Sequence, residues 1–144
     1  MSSLVLASRN AHKLNEMRRL LEPAGISVEE LPHGVELPPE DGATFADNAV
    51  PKALAAAAAV GRSAIADDSG IEAAALHGAP GVRSARYAGP DATDEENLQK
   101  LEREVPFESR LRYVCALAYV NPGTGEERVF FGDCRGRICR GCIL

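Results

Sequence analysis

Two adjacent acids in "AIADDSG", Asp67 and Asp68, follow an apolar run and precede Ser69 and Gly70. Some fifty residues earlier, "SRNAHK" holds Ser8, Arg9, Asn10, Ala11, His12 and Lys13 between an apolar run and a helical pattern. Residues 9–19 carry a local charge of +3, opposite in sign to the −5 of the whole chain. A polar loop opening a helix offers main-chain N–H groups and the positive end of the helix to an anion such as phosphate. It is not the usual phosphate loop, because G-x-x-x-x-G-K-[ST] is missing. Carboxylates beside a bound polyanion would repel it unless a cation intervenes, and Mg²⁺, which prefers oxygen ligands and phosphates, resolves that conflict. Glu40 and Asp41 are further candidate ligands, and Lys52 is either a phosphate contact or an ordinary solvated helix lysine. Asn48 and Lys52 are four apart and share a helix face. An Asp pair of this kind equally suits a turn whose carboxylates bond their own backbone.

The elements that must position these groups follow from periodicity. Residues 4–7 read as a buried strand. Leu14, Met17, Leu20 and Leu21 mark one apolar face of a helix that Pro23 and Gly25 stop. An extended segment over residues 26–31 and a Pro/Gly-rich loop come next. Thr44 with Asp47 signals a helix start and Gly61 a helix end. Pro51 is costly deep in a helix, so the spacing predicts either a start near Asn48 or a kink. "AIADDSGIEAAAL" reads as strand, sharp turn at Asp68, Ser69 and Gly70, then strand, with an acid projecting from the strand end into a crevice. Thr93 and Glu96 form a capping box ahead of Leu98, Leu101 and Val105. Residues 113–120 are apolar on both alternating faces, hence a strand buried on both sides, and "NPGTGE" turns it back into residues 128–132. This order gives an α/β fold with a mixed central sheet flanked by helices.

At 144 residues and 45% hydrophobic, the chain reads as one domain, residues 1–144, with a real core. Its acidity argues against a nucleic-acid partner, and no apolar stretch is long enough for a membrane span. With no signal-peptide pattern, a cytoplasmic location is expected. Cys115 reads as a small buried hydrophobe. Cys134, Cys139 and Cys142 read as incidental thiols, since the C-x-x-C lacks both a βαβ redox context and a fourth metal ligand.

Five segments in order, "SRNAHKLNE", "PEDGATFADNAVPKA", "AIADDSG", "GAPGVRSARYAG" and "DATDEENLQKL", resemble the inosine/xanthosine triphosphate pyrophosphatase family. The resemblance runs from about Leu4 to Arg140 and implies a Maf- and inosine-triphosphatase-like fold. It implies hydrolysis of non-standard purine nucleoside triphosphates (ITP, dITP, XTP) to the monophosphate and pyrophosphate, cleaning the nucleotide pool. Carried over by position, Ser8, Arg9, Asn10, Ala11, His12, Lys13, Lys52 and Ser69 bind substrate. Glu40 and Asp68 hold Mg²⁺, Asp68 is the general base, and Asp67 assists electrostatically. Homodimers are the family's common state. The "FGYDP"- and "SHR"-type segments that hold the base are absent after "FFGDCRGRICR". A C-terminally truncated fold is therefore expected, and the activity of the short form is left open. A phosphate-binding remnant without turnover is the alternative.

Overall fold

The structure, a computed structural model, describes residues 2–139 and 142–143. The chain folds as two compact units, Met1–Asp67 with Leu117–Phe130 and Asp68–Ala116 with Phe131–Leu144. The strands are β1 (Ser2–Leu6), β2 (Ile26–Glu29), β3 (Ala64–Ala73), β4 (Arg110–Asn121), β5 (Glu126–Cys139) and β6 (Cys142–Ile143). The helices are α1 (Ala11–Leu21), α2 (Phe45–Val60) and α3 (Asp94–Glu104). Strand order is β2-β1-β3-β4-β5-β6. β1 runs parallel to β2 and β3, and β5 antiparallel to β6, so the sheet is mixed as expected.

In the first unit, β1 shows the period-two alternation that builds a layered fold. Val5 and Ala7 point to one face, where they pack with Ala49, Ala53, Ala56 and Ala57 of α2. Leu6 points to the other, with Met17 of α1 and Val28 of β2. The alanine run of α2 thus lets helix and sheet backbones approach closely. Thr44 caps α2 through Asp47 N–H at 3.0 Å, and Gly61, at φ 66°, ends it. The helix does not begin near Asn48: it passes through Pro51, whose ring sits on the exposed face while Asn48 and Lys52 turn inward. Leu20 does not join the apolar face of α1, being 63% exposed, because Met17, Leu14 and Leu21 already cover the sheet there.

The second unit has a smaller core of Ala73, Leu101, Val105, Leu111 and Ile138. Its α3 carries the complete capping box: Thr93 Oγ1 accepts from Glu96 N–H, and the Glu96 carboxylate accepts from Thr93 N–H. Those bonds hold the Glu96 carboxyl below its ordinary pKa. Two strand expectations need correction. Residues 68–70 form no turn; β3 continues through them without a break. The side chains that would have bonded locally are engaged elsewhere, Asp67 by Lys13 and Ser69 by Tyr113, which leaves the backbone extended. Asp67 and Asp68 therefore sit mid-strand rather than at a strand end. β4 is not buried on both sides along residues 113–120 either, since Tyr113 is half exposed.

Candidate functional site

The loop between β1 and α1 is tied by its own polar groups. Ser8 Oγ accepts the Asn10 N–H at 3.1 Å. Asn10 Oδ1 caps α1 by accepting from His12 N–H at 2.9 Å and Lys13 N–H at 3.3 Å. An anion at this helix end would compete with that cap. Arg9 donates its guanidinium to three carbonyls, Leu31 and Pro32 at 2.8 Å and Val35 at 2.9 Å. Its side chain thus fastens the segment after β2 to the loop. Ala11 and His12 are exposed in the first turn.

Four of the sequence's charged residues meet within the first unit. Lys13 Nζ lies 2.8 Å from Asp67 Oδ2. Lys52, 7% exposed, donates through Nζ to Glu40 Oε1 at 2.8 Å and to the Asp67 carbonyl at 2.7 Å. Burying an ammonium costs several kcal/mol, roughly, unless partners replace its water, and here a carboxylate and a carbonyl do so. Two ammonium and two carboxylate groups balance in charge. Asn48, 3% exposed, accepts the Gly42 N–H at 2.7 Å and so holds the loop that carries Glu40. Sequence reasoning placed Asn48 on the Lys52 face but gave it no role; the signal was its four-residue spacing from that lysine. Asp41 is exposed.

In the second unit, Asp68 is buried on β3 and Ser69 Oγ accepts from the Tyr113 hydroxyl at 2.7 Å. Ser69 and Tyr113 border a cavity of about 320 Å³ that Asn97, Leu101 and Tyr87 also line. A wider groove of about 630 Å³ carries Arg110, Arg112, Arg135 and Arg137. Hydrogen bonding to Glu72 raises the pKa of the Arg112 guanidinium, with Asp133 adding to it. Both features escaped the sequence reading, although the alternating arginines in "RLR" and "RGR" were visible as a period of two. Cys139 is not an incidental thiol: it is disulfide-bonded, and the strand register sets it opposite Cys142. Cys134 is an exposed thiol.

Among the described residues no three His, Cys, Asp or Glu side chains gather into a metal-holding group. The expected donors, Glu40 and Asp68, supply oxygen only. That donor chemistry fits Mg²⁺, which characteristically takes one or two carboxylates and completes its shell with waters and substrate phosphates. No helix among the described residues is long and apolar enough to cross a membrane.

Residues 4–142 match the sequence profile of the Ham1 family. The dITP/XTP pyrophosphatase of Cutibacterium acnes is 47% identical over 146 residues, covering 96% of this chain and 71% of that protein. The dITP/XTP pyrophosphatase of Frankia alni is 49% identical over 144 residues, covering 92% and 70%. Among solved structures, a HAM1 protein from Coxiella burnetii superposes with a TM-score of 0.83 at 40% identity, covering 97% of this chain and 74% of its own. A nucleoside-triphosphatase / dITP/XTP pyrophosphatase from Mycobacterium abscessus gives a TM-score of 0.73 at 38% identity, covering 96% and 75%.

Proposed function

We propose that this chain, which belongs to the Ham1 family, hydrolyses non-standard purine nucleoside triphosphates such as ITP, dITP and XTP to the monophosphate and pyrophosphate. At the level of enzyme class it is a nucleotide pyrophosphatase, a hydrolase of acid anhydrides. The observation that supports the site is the pairing of buried Lys52 with Glu40 and the Asp67 carbonyl, beside the Lys13–Asp67 pair. In this reading Lys13 and Lys52 trade those partners for phosphate oxygens. The polyphosphate lies against Ser8, Arg9, Asn10, Ala11 and His12 through main-chain and side-chain donors, with Ser69 as a further contact. Phosphoryl transfer rests mainly on such positioning and charge stabilisation.

Asp68 takes the proton from the attacking water as the bond between the α and β phosphates breaks, and pyrophosphate leaves with the electron pair. Glu40 and Asp68 would hold Mg²⁺, with Asp67 assisting electrostatically. When bound, the ion spreads phosphate charge and acidifies water. A cytoplasmic homodimer completes the reading, and sedimentation velocity of the purified chain checks the oligomer.

Pyrophosphate release from inosine and xanthosine triphosphates, measured with Mg²⁺ and with EDTA, tests the activity. Metal-dependent release that falls at least about 100-fold in Asp68→Asn is expected. Nucleotide binding without turnover in the unmodified chain would instead identify a phosphate-binding remnant.

A further inference from the structure

Glu40 stands in a loop, its side chain 45% exposed, so burial alone does not fix its carboxylate. What fixes the loop lies on one face of α2. Asn48 Oδ1 grips the Gly42 main chain at 2.7 Å, and Lys52, one turn further on, grips the Glu40 carboxylate at 2.8 Å. The fit at Gly42 is tight: a Cβ there would come within 2.7 Å of both Asn48 Oδ1 and Asp47 Cβ. Asp47 is itself held by the Thr44 cap, so the helix start cannot easily yield. The segment 40–42 is thereby held at both ends, by its backbone and by its acid.

We infer that Asn48, acting through Gly42, is a positioning residue that sets where the Glu40 carboxylate stands. In the free chain Glu40 rests on Lys52, in the place that the proposed reading gives to a substrate phosphate. When Lys52 turns to phosphate, the Asn48–Gly42 bond remains in place and keeps the acid close enough to serve Mg²⁺. The inference rests on the proposed function and assigns Asn48 to metal capture rather than to phosphate binding.

Asn48→Ala separates these roles. Calorimetry would follow binding of α,β-imido inosine triphosphate without metal, then of Mn²⁺ to the chain saturated with that analogue. The expected result is metal-free analogue affinity within about twofold of the unmodified chain and Mn²⁺ affinity at least tenfold weaker. Exchange of the Gly42 amide, followed by NMR in the free chain, should accelerate at least tenfold. Gly42→Ala leaves Asn48 in place and displaces the loop through the close contact, so it should give the same split even if Asn48→Ala fails to fold. Unchanged Mn²⁺ affinity, or equal loss of both affinities in a folded variant, overturns the inference alone. Absence of analogue binding by the unmodified chain overturns the proposed function and this inference together.

Discussion

In the unit that carries α1 and α2, apolar side chains cover both faces of the parallel strands β1–β3, and the buried lysine and aspartate make close polar contacts at 2.7–2.8 Å. In the unit that carries α3, one modest cluster forms the core and, apart from the buried Asp68, its ion pairs lie at the surface, as in Arg112–Glu72 and Arg135–Asp133. The contrast shows where residue identity is constrained. A buried ammonium without its partner is strongly destabilising, so each member of the first unit's cluster specifies the next. Surface pairs are worth only about 0–1 kcal/mol, and their residues can change with little consequence.

The sharpest way to break this contrast is Lys52→Met. Loss of its charge-assisted bonds should weaken inosine triphosphate binding by about 100-fold, or about 2.7 kcal/mol, in a calorimetric titration. A change below threefold would mean that the buried cluster is structural only. Packing gives the next largest effect. Leu6→Ala, at a fully buried position of the first unit, should cost about 3 kcal/mol in urea unfolding. Leu111→Ala, in the thinner core, should cost less, and equal losses would erase the distinction between the two cores.

Thr93→Ala removes the α3 cap and should cost about 1 kcal/mol in the second unit. Because the capping box lowers the folded pKa of Glu96, its contribution is present above the unfolded carboxylate pKa and is lost as pH falls through the folded value. The variant should therefore show a flatter stability profile below pH 4.5. The smallest effect belongs to Tyr87. Burial, with the hydrogen bond to Glu104 next, pushes its hydroxyl up to about 12. Stability from this group is complete below pH 10 and declines as pH rises toward 12, a decline that Tyr87→Phe should abolish in urea midpoints measured at pH 9 and 11.

The same contrast explains what could be read from the chain. Helix starts at Thr44 and Thr93 were legible because a cap is a local bargain between a side chain and N–H groups two or three residues away. The buried strand at β1 was legible because its apolar run has few other uses. "DDSG" was misread because turn chemistry is also local, whereas these side chains are taken by Lys13 and Tyr113, 54 and 44 residues away in sequence. Pro51 misled for a related reason: a lost hydrogen bond is tolerable when the ring faces solvent and the opposite helix face packs well. The lysines were named as phosphate ligands from their placement as well as from their family positions, but that each already holds an acid emerged only from the fold. Asn48 had no signal beyond its spacing.

The three carbonyls gathered by Arg9 tie residues 31–35 to the turn after β1. The stretch joining β2 to α2 is thus pinned near its beginning by Arg9 and near its end by Asn48. Between the two pins, Leu37 packs against the core of the first unit. A fluorescent tag or protease site inserted there would strip that contact and strain both anchors.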